Sequence, residues 1–139
     1  MTNPDLARDY LRRAEKRLKA VALLLDEEAF PDVVRESQEV VELSLKGVLR
    51  RFGAAVPFSH DVSRALTEHS GRFPADVRAL VPRWCEISKH LRRDRELSFY
   101  GSEDVTPSEF YGREDAERAL AMAEEVVRGA APLAATSDG

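Results

Sequence analysis

The densest run of reactive side chains is Lys89-His90-Leu91-Arg92-Arg93-Asp94-Arg95, with Phe99-Tyr100 close behind. Arginine suits a phosphate, because its planar fork donates two hydrogen bonds to neighbouring oxygens. Basic groups beside aromatic rings combine a grip on phosphate with a surface for stacking a base. The run also interrupts a pattern. Val77, Leu80, Val81, Trp84, Ile87 and Leu91 recur every three or four residues, and the next apolar position falls on Asp94 and Arg95. Those charges read either as an ion pair at a helix end or as a cationic pocket at the mouth of a bundle. Phe99 reads as core packing.

Other spacings are weaker. Arg64 and His69 are five residues apart, which places them about 140° apart on a helix, so they do not converge. Arg83 and His90 share a helix face. His60 reads as a residue ordering the start of a helix, with leaning on the Arg93–Tyr100 region as the functional alternative. His60, His69 and His90 have neither cysteine partners nor metal-ligand spacing, so no metal site and no cofactor are expected. The single Cys85, beside Trp84, excludes a disulfide framework and reads as core or interface filling.

The elements that must carry these residues are helices. Leu6, Tyr10, Ala14, Leu18, Val21 and Leu25 form one stripe over a first helix from about Asp5 to Glu28. Phe30-Pro31-Asp32 breaks the chain and starts a second helix, to about Arg51, closed by Gly53. Ser59 or Asp61 caps a short third helix to about His69, and Gly71 ends it. Pro74 opens a fourth helix, in which Pro82 is a first-turn residue or a mild kink. Residues 101–112 read as a loop, and Arg113 to about Arg128 as a fifth helix. Nothing alternates with period two, so the fold class is all-α, an up-and-down bundle of about five helices. One helical domain over residues 1–130 and a flexible C-terminal tail over 131–139 are expected.

The composition sets limits. The chain has 139 residues, 43% of them hydrophobic and 33% charged, which suits one globular domain and excludes a disordered tail or a fibre. No run reaches the roughly 20 apolar residues of a membrane span. The start, MTNPDLARDYL, lacks an apolar secretory segment, so a cytoplasmic location is expected. The net charge of −4 excludes a generic nucleic-acid coat. Asn3 and Gln38 are the sole side-chain amides, a thermophile-like composition. The broad apolar faces of the first, second and fourth helices predict a homodimer or higher homo-oligomer.

Four segments in order carry a resemblance. Residues 93–101, Arg-Asp-Arg-Glu-Leu-Ser-Phe-Tyr-Gly, resemble the signature of the HEPN domain, the higher eukaryotes and prokaryotes nucleotide-binding fold. Residues 36–53 resemble the family's second helix, written around Q-x-x-E-x-x-x-K, with Gln38, Val41 and Lys46 close to that pattern. Phe58-Ser59-His60-Asp61-Val62 is similar to its T-H-D-L entry to the third helix. Tyr111-Gly112-Arg113-Glu114-Asp115-Ala116 is similar to its Y-x-x-E-D-A opening of the last helix.

The resemblance implies a HEPN-like bundle and a nucleotide or phosphate site at Arg93, Asp94, Arg95, Tyr100 and His60. Many members are metal-independent ribonucleases or toxins, whose motif is an arginine, four to six residues, a histidine and then x-Tyr. With Arg93 as the motif arginine, Ser98 stands in the histidine position and Tyr100 matches the tyrosine. With Arg95 instead, Tyr100 replaces the histidine. Both registers lack the histidine, and neither serine nor tyrosine is a good proton carrier near pH 7. The resemblance therefore implies an accessory partner of a minimal nucleotidyltransferase, in a toxin–antitoxin-like module, with Tyr100 as a candidate for adenylylation. A ribonuclease acting on RNA through Arg93, Arg95 and Tyr100 is one alternative; a dimeric helical scaffold without a small ligand is the other.

Overall fold

A computed structural model describes residues 4–56, 61–100 and 106–135, without the side chains of residues 94–100. The expected sites at His60, Asp94, Arg95 and Tyr100, the capping role of Ser59 and the loop start at 101–105 lie outside what is described. Four long helices dominate: α1 (Pro4–Asp26), α2 (Phe30–Arg51), α5 (Val81–Tyr100) and α7 (Arg113–Ala130). Three short ones sit between them: α3 (Val62–His69), α4 (Ala75–Arg78) and α6 (Pro107–Phe110). The described residues contain helices and turns and no strand. The all-α, up-and-down reading is thus correct, and the number of helices is higher than five.

Helix α2 is the spine, packing on α1, α3, α5 and α7. Its register with α1 is antiparallel: Leu11 and Tyr10 meet Gly47, while Arg17 reaches Glu36. Helices α5 and α7 are antiparallel too, since Arg83 meets Glu125 near one end and His90 shares a cleft with Arg118 further along. The core lies along α2, with Val33, Val34, Val40, Val41, Leu45, Val48 and Leu49 buried. Trp84, Ile87 and Leu91 enter it from α5, and Ala116, Ala119, Ala123 and Val126 from α7. Each large aliphatic side chain buried this way stabilises the bundle by roughly 1.5–3 kcal/mol relative to exposure. Alanines on α7 let that helix lie close to α2.

Gly53 has a φ of 72°, the left-handed turn that ends α2. Around it the Ala54 amide donates to the Leu49 carbonyl at 2.8 Å and the Gly53 amide to that of Arg50 at 3.1 Å.

Three boundaries differ from expectation. The fourth helix divides into α4 and α5 at Ala79-Leu80. Pro82 has no N–H to give the Arg78 carbonyl, and its ring would press on that carbonyl in a continuous helix. The chain instead tightens, with the Leu80 amide bonded to the Val77 carbonyl, and Pro82 falls in the first turn of α5. The expected loop before the last helix contains α6, closed by a reciprocal capping box between Thr106 and Glu109. The fifth helix, expected to end at about Arg128, runs on to Ala130. The chain then makes a 3-10 turn over Ala131–Ala134, where Arg8 Nε donates to the Ala134 carbonyl at 3.2 Å.

Candidate functional site

The basic run at the end of α5 divides between two sides of its helix, as neighbouring residues about 100° apart must. Arg92 turns toward α3 and lies 3.5 Å from Asp61 Oδ1. Asp61 accepts a hydrogen bond from Ser63 Oγ at 2.7 Å. That bond, with the charges of Arg92 and Lys89, holds its carboxyl below the ordinary carboxylate range against the opposing effect of burial. Arg92 is thus tied to the start of α3.

Arg93 turns the other way. Its Nη2 lies 3.2 Å from Nδ1 of His90, one turn earlier. His90 lines a small cleft with Val34 of α2, Leu91 of α5, and Tyr111, Asp115 and Arg118 at the head of α7. The cleft holds about 20 Å³, room for about one water. Its floor is apolar, since Val34 and Leu91 are almost fully buried, and Tyr111 is 3% exposed. Its rim is charged. Asp115 Oδ2 accepts from the Gly112 amide at 2.9 Å, which anchors the first turn of α7.

The other arginine–histidine spacings resolve as structural pairs. Arg83 grips Glu125 with two hydrogen bonds, Nε to Oε2 at 2.9 Å and Nη2 to Oε1 at 3.2 Å, and reaches Glu86 as well. It fastens α5 to α7 and does not pair with His90. Arg64 bonds Glu68 on its own helix. Cys85 is half-buried between α5 and α3, donating to the Ser63 carbonyl at 3.4 Å. This is the interface filling its neighbour Trp84 suggested.

The segment likened to Q-x-x-E-x-x-x-K carries a ladder along α2, with its glutamate at Glu42, one position beyond Val41. Gln38 Nε2 donates to Glu42 Oε2 at 3.0 Å, and Lys46 Nζ lies 2.8 Å from Glu42 Oε1. Gln38 and Glu42 are buried, so a carboxylate is carried into the bundle with both oxygens engaged. Among the described residues no group of three or more potential metal ligands gathers, and no helix is long and apolar enough to cross a membrane.

Arg118, Asp115 and Tyr111 escaped the reading of candidate site residues. Tyr111 and Asp115 lie inside the segment likened to the last helix's opening, and Asp115 and Arg118, three residues apart, share a face of α7. That spacing was the available signal, but an exposed arginine on an acidic helix reads as solvated surface.

A helical bundle with an antiparallel α5–α7 pair and an arginine–histidine cleft at the head of α7 is the class of protein defined so far. Residues 7–130 match the HEPN domain family, and the chain belongs to that family. It is 30% identical over 132 residues to "Putative toxin MJ1304" of Methanocaldococcus jannaschii, covering 90% of this chain and 86% of that one. Its fold is similar to the crystal structure of TT1696 from Thermus thermophilus, with a TM-score of 0.71 and 23% identity. That likeness covers 91% of this chain and 97% of that chain.

Proposed function

We propose that the chain is a nucleotide- or phosphate-binding HEPN module that works in the cytoplasm as the accessory partner of a minimal nucleotidyltransferase, in a toxin–antitoxin-like pair. The observation that carries this reading is Arg93. Among the described residues it makes no ion pair, and its recorded contact is the imidazole of His90. A guanidinium left without a carboxylate at the signature position is available to an anion. The relative named as a toxin supports a place in such a module. The missing motif histidine favours binding over RNA cleavage. The module acts as a homodimer, for which Leu23, Leu80 and Phe110, all exposed on one copy, are candidate contacts.

Tyr100 keeps its place after Arg93 and is the candidate acceptor of an adenylyl group. Its phenolic oxygen would attack the α-phosphate of ATP, losing its proton as a phosphodiester forms and pyrophosphate leaves. The test is incubation of the chain with ATP, Mg²⁺ and a minimal nucleotidyltransferase from the same organism, followed by peptide mass spectrometry. Adenylylation at Tyr100, absent in Tyr100→Phe, is the expected result. An unmodified chain that also fails to co-elute with the transferase contradicts the partnership.

A ribonuclease is the second reading, favoured by the proximity of His90 to Arg93, which brings a proton carrier near a phosphate-gripping group. RNA cleavage abolished by Arg93→Ala would support it.

A further inference from the structure

We propose that the cleft between α5 and the head of α7 is itself the phosphate-binding site, with Arg118 and His90 acting beside Arg93 on the phosphate of a nucleotide. The proposal rests on the reading of Arg93 as a phosphate-binding residue and carries it across to a second helix.

The arginines of this bundle are mostly committed. Arg64, Arg83, Arg92 and Arg113 pair with carboxylates, and Arg72 and Arg78 bond backbone carbonyls. Arg93 and Arg118 form no ion pair among the described residues, and each lies near His90. Arg118 shares the cleft with the imidazole, and Arg93 bonds it. One unpaired guanidinium on a surface is ordinary. Two near one imidazole, on helices far apart in sequence, provide what an anion needs and what a solvated surface does not require.

The imidazole is oriented for the task. A guanidinium is a donor only, so Nδ1 of His90 is the acceptor of the Arg93 contact, and the ring proton sits on Nε2 in the neutral form. That tautomer makes Nε2 a donor. The cleft is too small for a base or a ribose. It admits one oxygen in place of a water, so the phosphate sits at the mouth, beside Arg118 and His90 and within reach of Arg93, with its nucleoside outside.

Asp115 opposes an anion from the same rim. Its carboxylate accepts the Gly112 amide at the positive end of α7, which offsets part of its charge. Arg118 lines the cleft with that carboxylate, and Arg93, bonded to His90, adds a second positive charge beside it.

The test is calorimetric titration of the full chain with ADP and, separately, inorganic phosphate. Wild type is compared with Arg118→Gln, His90→Gln and Arg93→Gln, with Arg12→Gln on the exposed face of α1 as control. Thermal melting verifies that each variant folds. Loss of one charge-assisted contact is expected to weaken ADP binding about ten-fold or more in Arg118→Gln and Arg93→Gln, and less in His90→Gln. Arg12→Gln binds as wild type. Weakening by Arg93→Gln with wild-type affinity in Arg118→Gln overturns the cleft and leaves the Arg93 reading intact. Weakening by Arg118→Gln with wild-type affinity in Arg93→Gln keeps the cleft and overturns the Arg93 reading. No binding of either probe to the wild-type chain overturns both.

Discussion

Arg92 and Arg93 show how much one residue of register decides. They are chemically identical, but one closes an ion pair with Asp61 on α3 and the other reaches His90 beside α7. The sequence shows the density of charge and not its division, because division depends on which helices flank α5. Arg83 makes the same point. Its spacing to His90 is formally suggestive, yet Glu125, 42 residues away, takes its guanidinium in a bidentate grip. That grip carries a pH signature. The hydrogen bonds from Arg83 come first, and its charge and that of Arg128 add to them, holding Glu125 below the usual carboxylate range. A carboxyl depressed in the folded state contributes stability above its unfolded pKa, and loses it as pH falls through the lowered folded value. Glu125→Gln therefore melts below wild type at pH 7. The gap narrows on acidification below about pH 4, near the reference value for glutamate. Melting curves across that range check this, and a gap that stays constant would contradict it.

Among the elements, the long helices were legible because their stripes are uninterrupted and their breakers unambiguous. Pro31 and Gly53 bracket α2 almost to the residue. The short elements were not legible. Helix α4 separates from α5 through a proline that a helix start tolerates, and α6 rests on one capping box, Thr106 with Glu109, inside a stretch that looks like loop. The tight approach of α1 to α2 rests on a missing side chain. A Cβ at Gly47 would stand 2.8 Å from Leu11 Cδ2 and 2.9 Å from its Cγ, and Leu11 is buried in the core. Glycine to alanine in a helix gains about 0.5–1 kcal/mol from propensity, whereas overpacking a core costs about 1–3 kcal/mol. The clash wins, because Leu11 has no solvent to move into. Gly47→Ala is expected to lower stability by about 1 kcal/mol in urea denaturation, and Gly47→Val by more. An alanine variant as stable as wild type would mean that α1 shifts freely along α2.

At the scale of the molecule, the family was legible in four segments whose order matters more than any one of them, and residues 7–130 match the HEPN domain. Within the described residues the pattern divides into two kinds of work. The Gln38–Glu42–Lys46 ladder ties polar groups together along α2, while Arg93 on α5 forms no ion pair among those residues and contacts His90. The cleft lies where α2, α5 and α7 meet, so its members come from distant stretches of chain. No local motif announces such a site. Its partners are likewise a property of the whole assembly. The most direct measurement is purification of the tagged chain from its source organism, with analysis of the eluate for bound protein and nucleotide. The account predicts a nucleotidyltransferase and a nucleotide in the wild-type eluate, with the nucleotide lost from Arg93→Gln. A wild-type chain recovered alone and free of nucleotide would contradict it.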